Sequence, residues 1–436
     1  MVTKVSVIMP SLNVAEYIEE CVQSVMKQSL QEIEIICVDA GSSDGTRNIL
    51  DKLSRKDARI SVIESDVKSY GYQVNLGLQV ARGEYIAIVE TDDNVERNMF
   101  QRLYEEAIGH NLDYVKANFR YFSDFQGHRI YRKGYAVASD EAVSECTVIP
   151  KTKPNLFVCD AGIWTGLYRK DFLNQYHIRL NETKGAAYQD IGFLVQVQTY
   201  ARRAMYLPDF LYYYRTDRME ASSYKAEVLQ YVHQEFQWLL QDKNIEMTKG
   251  VALKLTSCFL CELDKVMRKV GYDVDSYYLG ESYLWLQTHI QEAIKKGVIN
   301  EQDFSEQFWK RLQLALCDLS AYANWLQEDD CRAKERDRQL VDYISCSEVV
   351  IFGGGSYGVL TLLLLKEHQK KIVALCDNER SLWGREIGGL PVLSPETAAK
   401  EYPHACFVVA NKKNAEQMKT QLLHLGIGRI FCRNQV

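Results

Sequence analysis

The chain contains 436 residues, of which 47% are hydrophobic and 25% are charged, an ordinary globular composition. This length exceeds that of one typical domain, so two or three domains are expected. The formal net charge of −6 is spread along the chain without a block of Lys and Arg. The pattern argues against a nucleic-acid partner, because binding to a phosphate backbone needs clustered positive charge.

The sequence also limits the cellular location that is expected for the protein. No basic and apolar leader precedes the first strand-like run, VSVIM, and the longest aliphatic run, VLTLLLL, is too short to span a bilayer. Most of the 12 cysteines lie in apolar runs, as buried reduced thiols do. We therefore expect a cytoplasmic protein, with peripheral contact at the inner face of the plasma membrane and homo-oligomer formation both left open.

The first 115 residues alternate between strand-like runs and segments of helical periodicity. Strands are predicted over residues 5–9, 32–38, 59–64 and 84–90, and helices begin near Tyr17, after Ser43 or Asp44, and at about Asn75. Each strand is short and apolar, and helices separate the strands. This pattern predicts a parallel sheet that is covered on both faces.

Polar residues follow three of these four predicted strands. They are Pro10-Ser11-Leu12-Asn13, Asp39, and Glu90-Thr91-Asp92-Asp93. In open sheets of this kind the ligand lies beyond the carboxyl ends of the strands, so we expect these side chains to surround a ligand. Carboxylates there are suitable ligands for a hard divalent cation, which can neutralise a departing diphosphate. An isolated acidic turn would more often be a solvated helix start, and the neighbouring polar strand ends favour the ligand site.

The rest of the chain changes character twice. Residues 116–225 are mixed and rich in aromatic side chains, and we assign them to the same domain as residues 1–115. Residues 226–345 show helical periodicity throughout and end in a charged stretch, which predicts a helical region and linker. Residues 346–436 return to alternating strands and helices. The predicted domains are therefore 1–225, 226–345 and 346–436.

Four segments resemble the family 2 glycosyltransferases with the GT-A fold. In chain order they are PSLNVAEYI, IICVDAGSSDGT, GYQVNLGLQVARGEYIAIVETDD and GAAYQDIGF, and the resemblance covers about residues 4–225. It implies an α/β GT-A domain that inverts the anomeric configuration in one displacement step. The implied donor is a nucleotide-diphospho-sugar, in particular a UDP-sugar. The implied acceptor is a bacterial cell-surface glycan, a lipid-linked glycan or a glycoprotein.

The resemblance also assigns roles to residues of this chain. Glu90 and Asp92 stand at the family's Asp-x-Asp and would hold Mn²⁺ or Mg²⁺. Asp190 would be the general base that an inverting transfer needs, or the cap of the following helix, or both. Trp164 and Asp93 would contact the acceptor, although core packing is an equal alternative for Trp164. The donor contacts would be Pro10, Ser11, Asn13, Asp39, Asn75, Glu90, Thr91, Asp92 and Arg215, with a surface ion pair as the alternative for Arg215.

Several positions depart from the family pattern. Ala40 replaces the second acid of the usual VDDGS, and Gln73-Val74-Asn75 replaces Ala-Arg-Asn, which leaves the contacts to the nucleotide base open. Glu90 keeps the charge of the first metal-motif acid and adds a methylene. Gln189 replaces the usual Glu beside the base, so Asp190 is the carboxylate left to take the proton.

A glycine-rich turn opens the C-terminal region. Gly353, Gly355 and Gly358 follow the strand-like EVVIF in a G-x-G-x-x-G pattern, and Asp377 ends the next strand. The region resembles the Rossmann-like N-terminal unit of bacterial sugar acyltransferases. The glycine pattern favours a second nucleotide site, and a structural or oligomerisation role is the alternative. Two functions therefore compete with glycosyl transfer. One is an NAD-linked oxidoreductase built on this region, and the other is a non-catalytic subunit that binds sugar nucleotides.

Overall fold

A computed structural model describes residues 2–125, 127–136, 144–159, 162–218, 228–274, 280–344 and 348–433. The chain divides into two compact units, the first formed by Met1–Arg120 with Gly134–Asn324 and the second by Tyr121–Lys133 with Trp325–Val436. The predicted boundaries near residues 225 and 345 adjoin residues 219–227 and 345–347, which lie outside the described ranges. Those two boundaries stay predictions.

A mixed sheet carries most of the first unit. Its strands are β1 (Val5–Ser11), β2 (Ile33–Asp39), β3 (Ile60–Glu64), β4 (Tyr85–Ile88), β5 (Asn94–Val95), β6 (Tyr114–Phe125), β7 (His128–Gly134), β8 (Gly166–Arg169) and β9 (Ala204–Arg215). Their order is β3-β2-β1-β4-β8-β6-β9-β5, with β7 paired to β6. Strands β1 to β4 are parallel, as predicted, while β8 joins β4 antiparallel. Every residue of β1 and β2 is buried, which explains their continuous apolar runs.

Helices cover this sheet and continue beyond it. They are α1 (Ile18–Met26), α2 (Thr46–Ser54), α3 (Tyr70–Val80), α4 (Met99–Gly109), α5 (Asn155–Cys159), α6 (Lys170–Gln175), α7 (Gln189–Tyr200), α8 (Val228–Leu239), α9 (Lys249–Lys269), α10 (Gly280–Lys295), α11 (Glu306–Cys317) and α12 (Leu319–Tyr343). The predicted helical pattern after residue 226 thus corresponds to α8 through α12. Within the described ranges, no helix has the length and hydrophobicity of a membrane span.

Helix α3 begins earlier than predicted. The sequence indicated a start at about Asn75, whereas the helix starts at Tyr70 and is capped by Ser69, whose Oγ accepts the Tyr72 N–H at 3.2 Å. Gly71 concealed this start, since glycine disfavours helix interiors. Close packing requires both Gly71 and Gly77. A Cβ atom at Gly71 would lie 1.9 Å from the Asn181 carbonyl oxygen, and one at Gly77 would lie 2.6 Å from Ile8 Cγ2.

Most of β7 and most of α12 belong to the second unit, which also contains a smaller sheet. Its elements are β10 (Val349–Phe352), α13 (Ser356–Glu367), β11 (Ile372–Cys376), β12 (Glu386–Ile387), β13 (Leu390–Leu393), α14 (Pro395–Glu401), β14 (Cys406–Val409), α15 (Ala415–His424) and β15 (Ile430–Cys432). The order is β12-β13-β11-β10-β14-β15, parallel except for the β12–β13 pair. This arrangement agrees with the small α/β unit expected from the alternating pattern.

The glycine turn of the second unit lies between β10 and α13, as the pattern predicted. A Cβ atom at Gly358 would lie 1.7 Å from the Gly353 carbonyl oxygen, so the motif allows close approach of helix and strand. Gly355 precedes the first turn of α13. Asp377 Oδ2 accepts the Gly354 N–H at 2.6 Å, and Oδ1 accepts the Glu379 N–H at 2.8 Å. One Asp377 oxygen therefore stabilises the glycine turn and the other stabilises the segment after β11, and a nucleotide role for the turn stays a prediction.

Candidate functional site

A cavity of about 400 Å³ opens beyond the carboxyl ends of β1 and β4. It is built from the end of β1, the segment that leads into α3, the loop after β4, the segment that leads into α7, and three residues of other segments. The predicted site residues in its lining are Pro10, Ser11, Glu90, Thr91, Asp92, Trp164 and Asp190. The cavity thus lies where the polar strand ends indicated a ligand.

Hydrogen bonds hold the acidic loop after β4 in one conformation. Thr91 Oγ1 donates to the Pro10 carbonyl at 2.9 Å, which ties the loop to β1. The Tyr212 hydroxyl accepts the Glu90 N–H at 3.1 Å and donates to Asp93 Oδ2 at 2.7 Å. Asp93 Oδ1 accepts the Arg215 N–H at 2.7 Å, and Asp93 is only 1% exposed. Asp93, a predicted acceptor contact, therefore lies beneath the loop and outside the cavity lining.

Glu90 and Asp92 bring two carboxyl groups to the cavity wall. The Tyr70 hydroxyl donates to Glu90 Oε1, and Arg218 Nη1 donates to Asp92 Oδ2 at 2.9 Å. Burial raises the pKa of Glu90 to about 8, and the carboxylates of Asp92 and Asp190 contribute to the rise. An additional positive charge would therefore stabilise the ionised form of this group of acids.

The carboxylates of the cavity fit a cation that binds together with a phosphate ligand. Among the described residues, no three His, Cys, Asp or Glu side chains are grouped to hold a metal ion by themselves. Glu90 and Asp92 offer two carboxylates on one cavity wall. Mg²⁺ is commonly held in this manner, by one or two carboxylates with phosphate oxygens and water.

Asp190 reaches the cavity from the first turn of α7. Burial raises the pKa of its carboxyl group, while the positive charges of Lys254 and Lys116 and the backbone N–H groups at the start of the helix oppose that rise. The alternative role as helix cap was wrong, because the N-cap of α7 is Tyr188 and Asp190 is the second residue within the helix. Asp190 lines the cavity, and its role as base stays a prediction.

Gln189 fixes the segment that leads to Asp190. Its Oε1 accepts the Ala187 N–H at 2.7 Å, and its Nε2 donates to Thr183 Oγ1 at 2.9 Å and to the Gly185 carbonyl at 3.2 Å. A carboxylate could not donate these bonds. The departure from the family's Glu at this position is thus explained by a local hydrogen-bond network.

Four predicted donor contacts lie outside the cavity lining. Asn13 Oδ1 accepts the Ser43 N–H at 2.9 Å, and Asp39 accepts hydrogen bonds from Ser11 and Ser42. Asn75 exchanges hydrogen bonds with the backbone of Leu180. These contacts join neighbouring segments of the first unit.

Arg215 is the fourth of these residues, and it supports the acidic loop from behind. Its Nε donates to the Asp92 carbonyl at 2.9 Å, and its guanidinium lies 4.7 Å from the centre of the Tyr17 ring. Arg215 is 8% exposed. Arg215 also forms ion pairs with Glu20 at 3.5 Å and with Asp217 at 3.3 Å, in agreement with the ion-pair alternative, and a phosphate contact stays a prediction.

Sequence reasoning missed two cationic residues of the cavity, Lys68 and Arg218. Arg218 follows the end of β9 by three residues, so the rule that ligands lie beyond strand ends could have identified it. Lys68 gave no such signal. It reaches the cavity because the segment before α3 is tied to Gly185, whose N–H donates to the Lys68 carbonyl at 2.9 Å.

Aromatic rings form another wall of the cavity. Trp164 stacks on Tyr214 with ring centroids 5.1 Å apart and on Tyr212 at 4.5 Å, and it meets Phe119 edge-on. Trp164 and Tyr214 both line the cavity, although Trp164 is only 8% exposed. Packing and cavity lining therefore coexist at Trp164.

Comparison with known proteins supports the assignment that the motifs implied. Residues 6–175 match the family model described as Glycosyl transferase family 2. The chain is 27% identical over 280 residues to the glycosyltransferase GlyG of Streptococcus pneumoniae serotype 4, covering 62% of this chain and 85% of GlyG. It is 30% identical over 268 residues to the uncharacterized glycosyltransferase EpsJ of Bacillus subtilis, covering 60% of this chain and 76% of EpsJ.

Solved structures agree at the level of the fold. Residues 1–349 of Staphylococcus aureus TarS match with a TM-score of 0.52 at 20% identity, covering 76% of this chain and 91% of that one. The complex of the same TarS fragment with UDP-GlcNAc gives a TM-score of 0.53. The α/β GT-A fold predicted from the sequence is confirmed. From its motifs, its family match and its relatives, this chain belongs to glycosyltransferase family 2.

Proposed function

We propose that this chain transfers a hexose from a UDP-sugar to an acceptor hydroxyl, with inversion of the anomeric configuration and with a divalent cation. The observation that carries the proposal is that Glu90, Asp92 and Asp190 line one cavity together with Lys68 and Arg218. A cavity that is lined by both cationic and acidic side chains suits a ligand that carries both phosphate and sugar. The TarS fragment, whose fold is similar, has been solved with UDP-GlcNAc and with UDP.

The donor diphosphate would occupy the side of the cavity formed by the acidic loop and the two cationic residues. Glu90 and Asp92 would hold Mn²⁺ or Mg²⁺ against the phosphate oxygens. When bound there, the cation supplies Lewis-acid stabilisation of the negative charge that develops on the departing diphosphate. Lys68 and Arg218 would neutralise the remaining charge, and Arg218 is already oriented by Asp92.

Asp190 would act as the general base. Its carboxylate accepts the proton of the acceptor hydroxyl while that oxygen bonds to the anomeric carbon and the bond from this carbon to the diphosphate breaks. Burial raises the pKa of Asp190, which makes the ionised carboxylate a stronger base than an exposed aspartate. Gln189 maintains the geometry because its side chain bridges the segment before α7.

The aromatic wall would receive the acceptor sugar. Trp164 and Tyr214 lie in the same cavity as Asp190, and an aromatic wall suits the apolar face of a pyranose ring. A cell-surface glycan, a lipid-linked glycan or a glycoprotein would supply the hydroxyl.

The direct test is a transfer assay with a panel of UDP-sugars, saccharide acceptors of these classes, and Mn²⁺ or EDTA. We expect UDP release that needs both the cation and an acceptor, and a product of inverted configuration by NMR. Equal rates in EDTA, or a retained configuration, would contradict the proposal. Binding of UDP-sugar without turnover across the acceptor panel would favour the non-catalytic alternative.

The oxidoreductase alternative receives less support. It would use Asp377 to contact a ribose, whereas both oxygens of Asp377 accept backbone N–H groups of the second unit. A change in nicotinamide absorbance in the presence of the purified chain would support the oxidoreductase alternative instead.

A further inference from the structure

A buried carboxyl group lies behind the proposed base. Glu235, on α8, is 2% exposed, and its Oε2 accepts a hydrogen bond from Asn181 Nδ2 at 3.0 Å. Its Oε1 is buried against the backbone of Gly192, which acts on it as a hydrogen-bond donor. Burial of a carboxyl group with few polar partners costs free energy. An apolar side chain would fill the same space without that cost, so simple packing does not account for a glutamate here.

Glu235 contacts the same helical turn that carries Asp190. A Cβ atom built at Gly192 would lie 1.8 Å from Glu235 Oε1, so the carboxyl group occupies the space beside Gly192 that any side chain would take. Gly192 is two residues after Asp190 within α7. The position of the Glu235 carboxyl group therefore limits how far this turn can move toward α8.

The second contact of Glu235 connects it to α3. Asn181, which donates to Glu235, brings its carbonyl oxygen so close to Gly71 that a Cβ atom there would lie only 1.9 Å away. The adjacent Leu180 exchanges hydrogen bonds with Asn75 of α3. Glu235 thus joins α8, the first turn of α7, and the segment that packs on α3.

The protonation state of Glu235 suits this structural position. Burial raises the pKa of Glu235 to about 8, and the carboxylate of Asp190 adds to the rise. At neutral pH the carboxyl group mostly keeps its proton, so it forms polar contacts without placing a second negative charge behind the base.

We propose that Glu235 is a positioning residue for glycosyl transfer, which acts through Gly192 and Asn181 to hold the turn of α7 that carries Asp190. The inference rests on the proposed role of Asp190 as base. It assigns to α8, which follows the residues matched by the family model, a part in the geometry of the reaction.

Three variants separate positioning from stability. Glu235→Gln keeps the size and the hydrogen-bonding capacity of the neutral acid, whereas Glu235→Leu keeps the approximate volume and removes every polar contact. Gln198→Leu is the matched control, because Gln198 lies on α7, the helix that carries Asp190, is 1% exposed and donates to the Leu156 carbonyl at 3.1 Å. The loss of this hydrogen bond should destabilise α7 without changing the turn that carries Asp190.

Steady-state kinetics should show the difference. We expect Glu235→Leu to lower kcat by about tenfold or more, since small displacements of a catalytic group are costly. The KM for the donor should stay within about twofold. Glu235→Gln should keep most of the wild-type kcat. Gln198→Leu should have a lower melting temperature than wild type but the same kcat per folded molecule. Equal kcat in Glu235→Leu and Gln198→Leu would overturn the proposal, as would a Glu235→Gln variant as slow as Glu235→Leu.

Hydrogen exchange tests the positioning role without relying on activity. The peptide covering residues 183–193 should exchange faster in Glu235→Leu than in wild type or Gln198→Leu. If Glu235→Leu does not fold, Glu235→Asp, which withdraws the carboxyl group by one methylene, should show the same faster exchange. Unchanged exchange in the folded variants would overturn the inference even if transfer is observed. Faster exchange in a protein without transfer activity would mean that the proposed function has failed, while the contact with the α7 turn stands.

Discussion

The acids of the loop after β4 differ in how their charges are balanced. Asp93 is enclosed by Tyr212 and Arg215, while Glu90 and Asp92 line the cavity and each accepts one hydrogen bond from a side chain. Three acids within four residues of the sequence therefore have different surroundings. Asp93 stabilises the loop, and the other two line the cavity.

Arg218 offers a direct test of the donor side. Arg218→Ala removes a cation from the cavity wall and leaves Asp92 without its side-chain partner. We expect the KM for the UDP-sugar to rise by about tenfold, which corresponds to the loss of about 1.4 kcal/mol of binding. The exposed Arg202 provides a control, and Arg202→Ala should leave KM unchanged. An unchanged KM in Arg218→Ala would exclude a contact between Arg218 and the donor.

Glu235 should make the stability of the protein depend on pH. Because burial raises the pKa of Glu235 from its usual 4.5 to about 8, the folded chain keeps a proton that the unfolded chain releases between these values. The contribution of this group to stability therefore falls as the pH rises through that window. Glu235→Gln removes the effect and should be more stable than wild type at pH 8, by a few kcal/mol at most.

Urea unfolding at several pH values measures this difference. The advantage of Glu235→Gln over wild type should shrink toward zero as the pH falls to about 4.5. A constant difference across the range would show that Glu235 does not titrate in this way.

At the level of single residues, the sequence could identify only those site residues that lie at the end of a predicted strand. Ser11, Glu90 and Asp92 follow buried apolar runs, so strand periodicity was enough to bring them together. Lys68 could not be found in this way, because the bridge between Ser69 and Gly185 depends on a contact between distant segments. The support that Gln189 gives through Thr183 was equally invisible in the sequence.

At the level of elements, β1 to β4 were predicted nearly to their ends, because each is a buried apolar run. The short β5 was not predicted. It consists of two residues, Asn94 and Val95, which pair with Tyr213 and Tyr212 of β9. A two-residue strand has no periodicity to detect, and only the pairing across the chain creates it.

Helix α3 carries a prediction of its own. Gly71→Ala would place a methyl group 1.9 Å from the Asn181 carbonyl, so α3 must move away and take Tyr70 and Gln73 out of the cavity wall. We expect a loss of about 1–3 kcal/mol in the free energy of unfolding, together with reduced transfer. Gly109→Ala is the control, since a Cβ atom at that helical glycine would meet no atom within 4 Å. Equal behaviour of the two variants in urea unfolding would contradict the packing argument.

At the level of the whole molecule, the cavity is lined entirely by residues of the first unit. Asp377→Ala, in the second unit, removes the acceptor for the Gly354 and Glu379 N–H groups and should lower the thermal stability of that unit. Transfer by the first unit should continue at the wild-type rate. Asn378→Ala, which removes an exposed side-chain contact with Gln421, is the milder control. A selective loss of transfer in Asp377→Ala, measured at a temperature where both variants are folded, would assign the second unit a part in the reaction.

The proposed base gives the most direct test of the account. Asp190→Asn keeps the shape of the side chain in the first turn of α7 and removes its capacity to accept the proton. Asp171→Asn is the matched control, because Asp171 is an exposed acid in the first turn of α6. With saturating substrates we expect Asp190→Asn to lose about 10²–10⁴-fold in kcat while calorimetry finds the donor Kd unchanged, and Asp171→Asn to behave as wild type. An Asp190→Asn enzyme that keeps more than a few per cent of the wild-type rate would contradict the account.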